Sequence, residues 1–129
     1  MEDITVVIVD NFKDNSWILE NRLTSTGTIV IGRFTHEQFV REELAQLPDI
    51  AIVALDGGIE ECRQTIYYIK EKFPSIKIVV NSSIYDQQII QAVTHLGIHG
   101  MIFEAIQNQE DLIKGVLNVF NGKDFFALE

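Results

Sequence analysis

A single cysteine, Cys62, in 129 residues excludes an internal disulfide and fits a reducing compartment. Cationic side chains are also scarce. Ten Lys and Arg stand against nineteen Asp and Glu, for a net charge of −9 at pH 7. Such a surface repels phosphates and gains little from counterion release, so direct nucleic-acid binding by this chain is not expected. No apolar run approaches the roughly 18 residues of a membrane span. The N-terminus, Met1-Glu2-Asp3, lacks the positive flank of a signal peptide, so a cytoplasmic location without membrane attachment is the expectation. A Gly-rich phosphate loop, a CxxC pair and a nucleophile elbow are all missing, and no enzymatic activity is expected.

What is present is enough apolar material, 47% of residues, for one well-buried core, and residues 1–129 read as a single domain. Short runs rich in β-branched residues alternate with helical periodicities, which predicts a parallel sheet covered on both faces. The runs are Ile4 to Val9, Thr28 to Gly32, Ile50 to Leu55, Ile76 to Val80 and Met101 to Phe103. Between them fall helical stripes: Ile18, Leu19 and Leu23, then Phe39, Val40, Leu44 and Leu47 behind a Thr35/Gln38 capping box and ending before Pro48. Cys62, Ile66, Ile69 and Phe73 follow, limited by Pro74. Next come Ile89, Ile90, Val93 and Leu96 behind an Asp86 cap, and Leu112, Val116, Val119 and Phe120 behind Asn108. Five βα units of this size predict a flavodoxin-like (βα)5 doubly wound sheet, strand order 2-1-3-4-5, with function gathered at the carboxyl ends of the strands.

Five segments in order carry a family likeness. They are Ile4 to Asn11, Pro48-Asp49 with the apolar run after it, Pro74 to Ser83, His95 to Phe103, and Gly115 to Lys123. Together the chain resembles a response-regulator receiver domain of the NarL/FixJ type, the group that usually precedes a LuxR-type helix-turn-helix. In that family two acidic residues after the first strand help hold Mg²⁺, and an aspartate ending the third strand takes the phosphoryl group. A Ser or Thr after the fourth strand orients it, and a lysine after the fifth pairs with it.

Carried over position by position, the resemblance implies a degenerate cleft. Asp10 matches the first acid, while Asn11 stands at the second and would hold a hard cation more weakly. Counting from Pro48-Asp49, the phosphoacceptor position falls on Ala54. Ser82 keeps the hydroxyl, and Glu104 reverses the charge of the lysine. The losses agree with one another, because a lysine without its aspartate would be an unpaired, partly buried cation. Glu104 and Asp10 would repel if close, raising one pKa or demanding a cation between them. Asp56 is the competing feature: it shares the parity of Ala54, so a two-residue slip would bring a carboxylate into the cleft. Asp10 and Asp56 are then weak candidates for a metal.

Blander roles stand beside these. Asp10 serves equally as a loop or helix cap, and Ser82 as a hydrogen-bonded strand end. His95 and His99 are separated by Gly97, which breaks the helix that would aim both at one metal, so surface histidines are expected. Cys62 lies on a buried stripe, and packing is the default for Trp17 and the Tyr67-Tyr68 pair. The reading implied is a pseudo-receiver that needs no phosphorylation and no cofactor. It would act in two-component signalling as a homodimer or through a protein partner, and would regulate transcription through a C-terminal DNA-binding domain outside this chain. Ile89, Ile113 and Leu117 are candidates for the contacts. The alternatives are a working phosphoacceptor at Asp56 with Mg²⁺, and a small-ligand sensor using the vacated cleft. The ending at Phe125 to Glu129 fits the start of a linker, either of an excised or of a free-standing domain.

Overall fold

The computed structural model describes residues 3–56, 58–83, 86–103 and 109–126, without the side chains of 109 and 126. The elements are β1 (Thr5–Val9), α1 (Lys13–Thr24), β2 (Ile29–Phe34), α2 (His36–Phe39), β3 (Ile50–Ala54), α3 (Ile59–Lys72), β4 (Lys77–Ser82), α4 (Gln87–Thr94), β5 (Gly100–Phe103), α5 (Gln109–Phe120) and β6 (Phe125–Phe126). Strand pairs are all parallel, in the order β2-β1-β3-β4-β5-β6. The first five positions are the flavodoxin-like order expected. The two-residue β6 is an addition: its backbone joins β5 through Phe125 N–H to His99 O at 3.0 Å, where the sequence reading placed the start of a linker.

Period-two alternation divides the sheet's side chains between two apolar layers. Val7, Val9, Ala51, Val53, Ile78, Val80 and Met101 face one layer with Cys62, Ile66, Ile69 and Val93 of α3 and α4. Val6, Ile8, Ile50, Ile52, Val79 and Ile102 face the other with Leu19, Leu23, Leu112, Val116 and Val119 of α1 and α5. Every residue of β3 is buried, as its unbroken apolar run requires, and each of its Ile and Val side chains contributes roughly 1.5–3 kcal/mol relative to exposure. Among the described residues no helix is long and apolar enough to cross a membrane.

Three expectations are corrected. The second helix is only one turn: the Thr35/Gln38 capping box forms and Phe39 is buried, but Val40 and Leu47 are exposed. With Leu44 only partly buried, too little apolar surface follows Phe39 to hold further turns. The second strand runs on to Phe34, with its register against β1 shifted between Val6 and Val7. Ile18, placed on the inner stripe of the first helix, is exposed; Leu19 and Leu23 carry the packing. Asp86 caps α4 as expected, its Oδ1 accepting from the amides of Gln88 and Ile89. The expected cap Asn108 lies outside the described residues.

Candidate functional site

Parallel register carries the ends of β1, β3 and β4 to one edge: Val9 pairs with Val53, and Ala54 with Asn81. Asp10, the residue after β1, is buried, and its Oδ1 accepts from the Phe12 amide at 2.8 Å. Asp10 therefore caps the loop after β1; it does not cap α1, whose N-cap is Phe12 without a side-chain cap bond. Ala54 closes β3 at 2% exposure, and Ser82 closes β4 fully buried. Ala54 is thus held in a rigid strand end and offers only a methyl group.

Asp56 lies beyond the strand. Leu55 N–H still pairs with Asn81 O at 2.8 Å, after which Gly58 N–H turns back to Leu55 O. The Asp56 Oδ1 accepts from Ser83 N–H at 3.3 Å. A carboxylate therefore does reach the rim between β3 and β4, as a tie between loops. Glu104 lies outside the described residues, so its position relative to Asp10 is not part of this geometry.

Asn11 has a different office from the acid it replaces. Its Oδ1 accepts from His36 N–H at 3.0 Å, and its Nδ2 donates to Glu61 Oε1 at 2.5 Å. Both ends of the amide are committed to α2 and α3. Cation binding here would call on oxygen ligands of negative charge; Asn11 offers a neutral amide oxygen that already accepts from His36, while Asp10 keeps a carboxylate of which one oxygen accepts from Phe12. Among the described residues no group of three or more His, Cys, Asp or Glu side chains that could hold a metal ion occurs.

The residue that sequence reasoning missed is His36. It is 3% exposed, with Nε2 3.1 Å from Ala54 O and Nδ1 2.7 Å from Thr65 Oγ1. A carbonyl only accepts, so Nε2 carries the hydrogen; in the neutral ring Nδ1 then accepts from the Thr65 hydroxyl. Burial pushes the His36 pKa below its ordinary value, against the opposing pull of Glu61 and the Ala54 carbonyl. The only sequence signal was its place as the first helical residue after Thr35, which says nothing about burial.

His99 also departs from expectation. It is half-buried, with Nδ1 accepting from Ile78 N–H at 3.0 Å, and burial lowers its pKa. His95 is exposed as expected. Cys62 is fully buried, and burial pushes its thiol up to about 12. Trp17, expected to pack, is 58% exposed on α1, and Tyr67 is exposed too. Of the contact candidates, Leu117 is 40% exposed and Ile113 half-buried, whereas Ile89 packs partly against the core. Leu117, Ile113 and Val116 help line a cavity of about 350 Å³ beside Ile4 and Thr28. A larger, open cavity of about 600 Å³ is lined by Asp10, Lys13, Trp17, Arg33 and Gln38; its walls come from the end of β1, from α1 and from the β2–α2 junction rather than from β3 and β4.

No family model matches the chain, and no curated protein matches it by sequence. Solved structures do. The chain is similar to the non-phosphorylated receiver domain of the stress response regulator RcsB from Escherichia coli, at 26% identity and TM-score 0.80, covering 97% of this chain and 98% of that one. The isolated receiver domain of RcsB from Salmonella enterica serovar Typhimurium, with the phosphomimetic BeF3⁻, matches in fold at 24% identity and TM-score 0.82, over 98% and 95% of the two chains. RcsB in a structure of two dimers bound to two parallel DNAs matches at 26% identity and TM-score 0.82 over 98% of this chain. This chain spans 64% of that longer RcsB chain.

Proposed function

Because this chain is a receiver domain of the response-regulator type, we propose that it is a pseudo-receiver: a phosphorylation-independent interaction module, not an enzyme and not dependent on Mg²⁺. The carrying observation is Ala54, a buried methyl group at the end of β3, where a nucleophilic oxygen would have to stand. Asn11 supports it, with its amide spent on α2 and α3. The module works in the cytoplasm as a homodimer, using the apolar exposure of Trp17 and Ile18 on α1 and Leu117 on α5. In a longer parent it regulates transcription through a C-terminal DNA-binding domain; the similar RcsB chain is seen as dimers on DNA.

A second reading rests on the Asp56 carboxylate at the rim beside Ser83: phosphoryl transfer to Asp56. Incubation with acetyl phosphate and Mg²⁺, followed by intact-mass measurement, separates the two. The pseudo-receiver reading expects no adduct. An acid-labile gain of one phosphoryl group that disappears in Asp56→Ala overturns it.

A further inference from the structure

His36, Thr65, Asn11 and Glu61 form a connected polar cluster that joins α2, α3 and the loop after β1, and reaches β3 through the Ala54 carbonyl. The imidazole joins the last carbonyl of β3 to the Thr65 hydroxyl on α3, while the His36 backbone amide and Glu61 are tied together through Asn11 after β1. Helix α2 is one turn long, too short to hold itself without tertiary contacts; its register depends on Phe39 and this cluster. Next to the imidazole opens a cavity of about 320 Å³ lined by His36, Glu37, Val40, Glu61, Gln64 and Thr65.

We propose that this cluster is a proton-operated latch, in which uptake of one proton at His36 Nδ1 releases the imidazole from the end of β3 and frees α2. The proton comes from solvent and takes the lone pair that accepts from Thr65, so the Thr65 Oγ1–H···Nδ1 bond is lost unless the hydroxyl turns round. The ring becomes an imidazolium at a site almost closed to water, where an unpaired charge is costly. The open cavity offers the alternative: its acidic rim, Glu61 from α3 and Glu37 from α2, attracts the imidazolium outward. Glu37 also pairs with Arg41 at 3.2 Å. Among the described residues Glu61 is the charged group whose pull opposes the burial of the ring, and β3 meets the imidazole through the Ala54 carbonyl. The lowered pKa of His36 agrees with a latch closed when neutral. This inference stands whether or not Asp56 accepts a phosphoryl group.

The test follows the His36 ring nitrogens by NMR, together with amide exchange at residues 36–39 corrected for intrinsic pH dependence, from about pH 8 down to about pH 4.5. The latch expects an Nε2–H tautomer at the upper end and titration below the ordinary value of 6.5. Protection of α2 should fall about tenfold or more with the same midpoint. Glu61→Gln keeps an acceptor for Asn11 Nδ2 but removes the rim charge that favours protonation, so both midpoints should move to lower pH together. In His36→Phe the pH dependence of α2 exchange should vanish if the variant folds; Glu61→Gln keeps the test decisive if it does not. Protection of α2 that stays constant while the ring titrates, or that falls with a midpoint matching His99 or unmoved by Glu61→Gln, overturns the proposal.

Discussion

Asn11 Nδ2 donates to Glu61 Oε1 at 2.5 Å while the same amide accepts from the His36 backbone N–H. Only a side chain with a donor and an acceptor meets both partners. An aspartate would keep the bond to His36 and set two carboxylates against each other. Asn11→Asp, which recreates the acidic pair of the resembling family, should therefore destabilise the fold by about 1 kcal/mol at neutral pH, most at low salt. The urea midpoint of the variant, read at two salt concentrations, checks it; an unchanged or raised midpoint contradicts the bridge.

The unbroken apolar runs that made β1, β3 and β4 legible in the sequence are the strands whose side chains alternate between layers in the structure, Val6 and Ile8 to one and Val7 and Val9 to the other. The positions of Ala54 and Ser82 came instead from the family resemblance, Ala54 by counting from Pro48-Asp49. What the pattern could not carry was polar and local: the ring of His36 turning inward and the Asp56 carboxylate reaching Ser83. Each depends on where a loop crosses the strand ends, a tertiary property without a period. The second helix failed for a related reason. Val40, Leu44 and Leu47 have helical spacing, but spacing counts only where a surface exists to bury it, and beyond Phe39 burial is incomplete.

Two histidines tie stability to pH with the same sign. His36 and His99 both have pKa values lowered by burial from the ordinary 6.5, so the unfolded chain binds protons more readily than the folded one. Their contribution is complete above about pH 6.5 and is lost as the pH falls through their folded values. Thermal unfolding should occur at a lower temperature at pH 5.5 than at pH 7.5, and His36→Phe, where it folds, should flatten part of that dependence. A melting temperature that rises on acidification over this interval contradicts the assignment.

Cys62 tests the core from a different side. Its thiol is fully buried among Ile66, Ile69 and Val80, and burial holds its pKa at about 12, so little thiolate forms at neutral pH. Alkylation by iodoacetamide at pH 8 should be negligible in the native chain and complete within minutes in denaturant. Cys62→Ser, which places a hydroxyl in the same apolar contact, should cost about 1–3 kcal/mol. Rapid native labelling would mean that α3 separates from the sheet far more readily than its packing implies.

At the opposite end of β3, Asp49 holds the strand's register. Its Oδ2 accepts from Thr5 N–H at 2.9 Å and from Thr5 Oγ1 at 3.1 Å, while Asp49 N–H bonds to Thr5 O at 3.0 Å. This carboxylate therefore aligns β3 on β1 so that Val53 meets Val9 and Ala54 closes the strand, which leaves Asp56 in the turn. Asp49→Ala removes one charged acceptor and strands two partly buried donors, at a cost of about 1.5–3 kcal/mol. Asp49→Asn, which still presents an oxygen, should recover about half of that. Urea unfolding followed by circular dichroism reads both variants. If Asp49→Ala proves neutral, the register rests on the apolar pairs of β1 and β3 alone, and the Asp49 carboxylate has no part in deciding which residue ends the strand.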